Sequence, residues 1–455
     1  MVKSFFSSIQ YVNELLSSPR IKPYMDRLHP GAVMATMRGV IDDISGEMKS
    51  VASEWRMPDV PDLVEKIVAR LQVVVETGPS LILDAQGYLY SSGQRDLALP
   101  VLEEMVRAFD ASTDLDEAMV ATLICRITGA EDAILFSGPR QAEMAIYRTF
   151  GANRNRILIA RRDLRETEDG VRTESLLRNM GVAFTELGCA DKVQTEDYLG
   201  AISRRTGLVR LAMDYTGRDS GLDARGVKAI QEALDGLDVK VPLHLHLDYA
   251  SLIPLDGLLS RPIPMLGKIL DSGFDLVSCS TGQLIGGPAC GLILGRKGPL
   301  EKIRHCGSEL LFPAHYADLA GVYRTFSLSQ NSEEASLKIP ILQKVNTSMA
   351  NLRNRGARLL GQLQELPVVE QVSIMDGESK LARDATGITI PTCLLRLVPS
   401  RKTAEQFAAS LAKGPPSLLT QVDGGALLLD LRTLSPKCDS LVVDLLAGLT
   451  PPAPV

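Results

Sequence analysis

The order of apolar runs in this 455-residue sequence predicts an α/β fold with a mainly parallel sheet, preceded by a helical region and followed by a small α+β domain. Three observations carry that expectation. Between about residues 79 and 310, short apolar runs alternate with helical stretches. The runs are nearly continuously apolar, as strands covered on both faces must be. Before this segment the chain reads as helices, and after it as a long connecting helix followed by a few further strands and helices.

Residues 1–78 read as the helical region. GAVMATMRGVIDDISGEM and PDLVEKIVARLQVVVETG space their apolar residues three and four apart. Pro61 suits a helix's first turn and Gly78 its end. Nine Lys and Arg face ten Asp and Glu over these residues, so the region is no basic RNA clamp.

Residues 79–310 form the large domain, with strands expected at AILF (133–136), RILIA (156–160), GLVRLAM (207–213), PLHLHLD (242–248), FDLVSCS (274–280) and GLILG (291–295). DLDEAMVATLICRITG and RGVKAIQEALDG are the helical partners. Ligands of such sheets bind beyond the C-terminal ends of the strands, so chemistry belongs there. Residues 311–455 open with one connecting helix at roughly 333–364. Strands CLLRLV and ALLLDLR, with helices TAEQFAASLAKG and DSLVVDLLAGL, then make the small domain, and the tail PPAPV frays.

Composition excludes several classes. A net charge of −6 offers nucleic acid no general attraction. Seven cysteines are scattered without a CxxC pair, which argues against a zinc site or a thioredoxin-like motif and for a reducing compartment. MVKSFFSSIQ lacks the long apolar core of a secretory signal, and no apolar run reaches the roughly 18 residues of a membrane span. A cytoplasmic protein is expected. His244 and His246 share one face of a strand, but a metal needs further ligands; a hydrogen-bonded pair is the expectation.

Three stretches, in order, resemble one family. GFDLVSCSTGQLIGGPACGLILGRK is similar to the cofactor-lysine segment of bacterial selenocysteine synthases, where a strand leads into Ser-Gly-Asp-Lys and then Leu-Leu-Gly-Gly-Pro-Gln-Ala-Gly. DLDEAMVATLICRITGAEDAILF resembles the family's segment ending in Leu-Thr-Gly-Ala-Glu before a strand. PPSLLTQVDGGALLLDLRTLSP resembles its C-terminal segment, including Leu-Leu-Leu-Asp-Leu-Arg-Thr. The opening helices follow the family too, so the resemblance covers essentially the whole chain. It implies the aminotransferase-like (fold type I) pyridoxal-phosphate-dependent transferase fold. It also implies assembly as a ring of dimers and an activity that turns seryl-tRNA into selenocysteinyl-tRNA with selenophosphate.

Measured against the family, the chain keeps a framework and loses an amine. Gln283 stands where the family has the lysine that holds pyridoxal phosphate, and an amide is neither nucleophilic nor basic near neutral pH. Lys268 and Lys297 lie nearby, but not at the strand end. Asp248 stands where the family pairs an aspartate with the pyridine nitrogen; a strand-end carboxylate capping a turn is the alternative. Arg161, Arg172 and Arg218 match family arginines, and Arg95 matches another in a loop one residue shorter. Each alone reads as a surface charge, and the set reads as an anion pocket. Gly138 and Gln141 open a helix where this fold holds the cofactor phosphate on backbone N–H groups, although most strand–helix turns bind nothing. Further departures fall at Tyr90-Ser91-Ser92, Gly188-Cys189-Ala190-Asp191-Lys192 and Thr420-Gln421-Val422.

The expectation is therefore a non-catalytic homologue acting as a binding or structural subunit, with tRNA, an active paralogue or further copies of itself as partners. Pyridoxal phosphate, if taken up, is not covalently held. An active L-seryl-tRNA(Sec) selenium transferase with its lysine supplied from elsewhere is the alternative. Chemistry with pyridoxamine phosphate ranks last, because glutamine supplies no general base.

Overall fold

A computed structural model describes residues 15–25, 30–50, 60–76, 82–90, 96–109, 115–153, 155–164, 166, 171–213, 223–383, 385, 387–414 and 416–448. Gly78, Ser91, Ser92, Arg95 and Arg218 fall outside these residues. The chain divides into two compact units, one of residues 1–82 with 415–417 and the other of residues 83–414 with 418–455.

In the first unit, helices Pro30–Ser50 and Val60–Glu76 face each other. Val33, Met37, Val40 and Ile44 from one meet Leu63, Ile67 and Leu71 from the other, all buried. The spacing of three and four puts each set on one stripe, and Leu15 and Ile21 from the preceding segment complete this small core. Pro61 sits in the first turn of its helix, as expected.

The second unit is built on a seven-stranded sheet. Its strands in chain order are β1 (Asp132–Phe136), β2 (Arg156–Ala160), β3 (Ala183–Leu187), β4 (Thr206–Ala212), β5 (Leu243–Leu247), β6 (Leu276–Ser280) and β7 (Gly291–Gly295). Their spatial order is β1-β7-β6-β5-β4-β2-β3, and β7 alone runs antiparallel to its neighbours. Helix α1 (Glu117–Thr128) covers one face and α2 (Pro139–Phe150) the other. On β1, Ala133 and Leu135 join the α1 side while Ile134 and Phe136 join the α2 side. Both faces are dry, so the near-continuous apolar strands follow.

The sequence misses β3, an edge strand whose AFTEL is only partly buried and carries little apolar signal. It misses a second edge for the same reason. In the small sheet, β8 (Val369–Lys380) pairs with β9 (Thr389–Pro399), β9 with β11 (Ala426–Asp430), and β11 with β10 (Gln421–Asp423), all antiparallel. VEQVSIMDGESK lies at the edge of that sheet and is polar. Between β10 and β11, Gly424 and Gly425 take φ of 53° and 72°, the two-residue turn that matches strand twist and that glycine allows.

The single connecting helix expected at 333–364 is three helices: Ser332–Lys338, α3 (Pro340–Asn346) and α4 (Met349–Leu363). Pro340 has no N–H and holds Ile339 extended, at φ −85° and ψ 118°. Thr347 is extended as well, and Ser348 restarts the helix by accepting the Asn351 N–H. Among the described residues, no helix is long and apolar enough to cross a membrane.

Arg355, on α4, ties the small sheet to the last helix. Its guanidinium donates to the Leu431 and Leu434 carbonyls at 2.6 and 2.9 Å and forks onto the Asp439 carboxylate. Removing one partner of a buried pair strands the other. Arg355→Ala should therefore lower stability by about 3 kcal/mol in denaturant melts, and a loss below about 1 kcal/mol would show that the pair is dispensable.

Candidate functional site

Strand β6 delivers the chain into a loop that is fastened to itself. Thr281 N–H donates to the Cys290 carbonyl at 2.9 Å, and Gly287 N–H returns to the Thr281 carbonyl at 3.0 Å. The Thr281 hydroxyl donates to the Pro288 carbonyl at 2.5 Å and accepts the Cys290 N–H at 3.1 Å. Ile285 and Gly286 N–H groups converge on the Gly282 carbonyl at 3.0 and 3.3 Å. Thr281 is buried, so water does not compete for these bonds.

Gln283 rides on this loop with φ of 50°; of the described non-glycine residues, only Asn153 shares that left-handed region. The conformation costs a side-chain-bearing residue about 1 kcal/mol, which the surrounding bonds sustain. Gly286 also has positive φ, at 79°, and a Cβ there would collide with Ile339. The loop is a rigid mount, and what it presents is an amide.

A cavity of about 330 Å³ opens at Gln283, lined also by Gly282, Gly287, Tyr90, Asp96 and Lys344. Lys344, near the end of α3, donates to Asp96 at 3.1 Å, and its side chain is only 11% exposed. The sequence had directed attention to Lys268 and Lys297. Lys268 sits on the short helix Leu266–Ile269, Lys297 lies 3.8 Å from Glu301, and neither lines the cavity. No local signal marks Lys344, because only the packing of α3 beside the loop brings it there.

Asp248 follows β5 at the C-terminal edge of the parallel strands, the edge on which the Gln283 loop also lies. Alternation along β5 sends Leu243, Leu245 and Leu247 to the α1 side and both histidines to the α2 side. There His246 Nε2 approaches Asp248 Oδ1 at 3.3 Å, and its Nδ1 lies 2.9 Å from Ser278 Oγ. His244 Nε2 meets the same oxygen at 2.8 Å, giving the hydrogen-bonded pair expected of these two residues. Among the described residues, no group of three or more His, Cys, Asp or Glu could hold a metal.

The polar cluster continues inward. Glu143, from α2, lies 3.6 Å from His246 Nδ1 and accepts the Tyr147 hydroxyl at 2.6 Å and Arg210 Nη2 at 2.9 Å. Arg210, on β4, also reaches Asp163 at 3.9 Å. Burial pushes the Glu143 carboxyl upward, but its neighbours His246 and Arg210, with hydrogen bonds from Tyr147 and Arg210, overcome this and hold it at about 2. Burial, with Arg210 and His246 close by, drives His244 well below the ordinary histidine range, so it is neutral at pH 7. The arrangement steadies Asp248 through His246 and keeps a carboxylate charged under the sheet. The signal the sequence reading passed over is Arg210 itself, a cation inside the apolar run GLVRLAM that had to find buried anions.

The remaining residues singled out from sequence are dispersed. Gly138 caps α2 in extended conformation, and a Cβ on it would lie 2.6 Å from Gln141 Oε1, so the glutamine side chain folds across the helix start. Arg161 is bonded to Glu186 and Arg172 to Glu166, each at 2.9 Å and each exposed. None of Asp248, Gly138, Gln141, Arg161 and Arg172 lines the cavity at Gln283. The Gln421 amide is spent on the Gln86 carbonyl.

The depressed Glu143 carboxyl carries a sign. Its value of about 2, against 4.5 for the free group, means that its stabilisation is complete above about pH 4.5 and is lost as pH falls toward 2. Glu143→Gln should lower stability at neutral pH by about 3 kcal/mol and flatten the acid-induced decline. Parallel curves of melting temperature against pH for the two proteins would remove Glu143 from this role.

Comparison with known proteins adds the context. The family model described as "SelA: L-seryl-tRNA selenium transferase" matches residues 110–435. An L-seryl-tRNA(Sec) selenium transferase of Klebsiella pneumoniae is 23% identical, the match covering 95% of this chain and 96% of that protein. One from Geotalea daltonii is 25% identical over 73% of this chain and 72% of its own. Among solved structures, D-glucosaminate-6-phosphate ammonia-lyase superposes with a TM-score of 0.58 at 18% identity, covering 82% of this chain and 96% of that one. That likeness bears on the fold alone, the aminotransferase-like fold type I of pyridoxal-phosphate enzymes. A family match across most of the chain, on this sheet order, makes the protein a member of the selenocysteine synthase (L-seryl-tRNA selenium transferase) family.

Proposed function

We propose that this chain is a non-catalytic member of its family, serving as a binding or structural subunit. Gln283 carries that reading. Covalent capture of pyridoxal phosphate needs a primary amine at the strand-end loop, and the loop presents an amide. The residues there do not fit the lysine-linked cofactor. Asp248, backed by His246, and the helix start at Gly138 and Gln141 support reversible uptake of a phosphate-bearing ring instead. Arg161 and Arg172 remain anion-site residues in this reading only if Glu186 and Glu166 release them; Arg95 and Arg218 are kept as anion-site residues on the family resemblance alone.

One observation favours the alternative, an active L-seryl-tRNA(Sec) selenium transferase making selenocysteinyl-tRNA(Sec) with pyridoxal phosphate. Lys344 lines the same cavity as Gln283 and could supply the amine. Its bond to Asp96 weighs against this, because an ammonium held by a carboxylate has no free electron pair. Incubation with pyridoxal phosphate, borohydride reduction and peptide mapping decides between the readings. The expected result is no adduct on the natural protein and a trapped adduct on the Gln283→Lys variant. A pyridoxyl group on Lys344, or on any lysine of the natural chain, restores the transferase.

The partners we favour are further copies of this chain, an active paralogue and tRNA. The helix Leu99–Arg107 leaves Leu99, Leu102 and Val106 exposed on successive turns, which supports a covered face in an assembly. The relatives' names supply the tRNA. Seven free cysteines support a reducing compartment, the cytoplasm. Light scattering of the protein alone, then with selenocysteine tRNA or serine tRNA, should give a mass above that of one chain and a preference for the first RNA. A monomeric mass would discard self-assembly, and equal weak association would discard the tRNA.

A further inference from the structure

We infer that a second cavity, beside the one at Gln283, is a binding site for a small phosphate-bearing anion. It encloses about 500 Å³ and shares Asp96 and Lys344 with its neighbour. That volume suits a small molecule rather than a macromolecule. Its lining brings together Lys344, Arg355, Arg358, Arg432 and Lys437, with Asp96 as the one carboxylate among the described residues.

Counting partners separates structural cations from available ones. Lys344 is paired with Asp96, and Arg355 with Asp439. Arg432 is different: only 4% exposed, it directs its guanidinium at the carbonyls of Pro391, Lys344 and Thr347, without an ion pair among the described residues. Its charge is thus buried at the back of the cavity against neutral oxygens. Arg358, one turn beyond Arg355 on α4, and Lys437, on the 3-10 turn Pro436–Cys438, are exposed and make no ion pair among the described residues. Two available cations at the mouth and a third behind them make a positive field inside a chain of net negative charge.

Such a field is unfavourable when empty, since like charges in a low-dielectric recess repel. An anion with two or more charges relieves it, and Arg358 offers a planar fork that matches phosphoryl oxygens. Arg432 contributes field rather than contact, because its N–H groups are already directed at carbonyls and at the Met349 sulfur. Contact falls to Arg358 and Lys437. Nothing here depends on whether Gln283 disables catalysis.

Inorganic pyrophosphate is the probe, titrated calorimetrically into the full-length protein at constant ionic strength. The expected result is saturable one-site binding, weakened tenfold or more in the double variant Arg358→Gln, Lys437→Gln and abolished in Arg358→Glu, Lys437→Glu. Both positions are exposed, so the variants should melt like the natural protein when no ligand is present. Absence of binding by the natural protein, or an affinity unchanged in the neutral double variant, overturns the inference. Because pyridoxal phosphate is not added, the outcome is independent of the borohydride experiment.

Discussion

The large unit hangs on how one short strand divides its side chains. Strand β5 turns three leucines toward α1 and two histidines toward α2, so a buried apolar face and a buried polar face lie one residue apart. The polar face exists only because Glu143 and Arg210 close on each other beneath α2. A buried guanidinium without that carboxylate, or the carboxylate without the guanidinium, would have to be neutralised or solvated, and either would open the sheet. Asp248, reached through His246, stands on this pairing.

The backbone of the candidate site and the side chain it presents are separate matters. The loop after β6 keeps its hydrogen bonds, its left-handed backbone and its glycines, the features that hold a reactive side chain at a fixed point. Its side chain cannot react with an aldehyde. Asp248 has His246 beside it. Family membership fixes the fold without fixing the activity, which the side chain on the mount decides.

Legibility in the sequence followed burial. Strands buried on both faces announced themselves as apolar runs, and GLILG was located to the residue. Edge strands β3 and β8 were not located, because solvent tolerates their polar residues. The helix expected at 333–364 was broken by Pro340 and by the cap at Ser348, both visible in the sequence but outvoted by periodicity. At the site, Gln283 and Asp248 were legible through their ordered neighbours. Lys344, Asp96 and Glu143 were not, since they reach their places by tertiary packing. The arginines were legible as residues, but not in their bonds to Glu186 and Glu166.

Lys344 and Asp96 form part of the walls of two adjoining chambers. A side chain shared in this way links their occupants thermodynamically. Whatever turns Lys344 toward a guest on one side withdraws it from the other, and the resulting change in affinity is the same factor read in either direction.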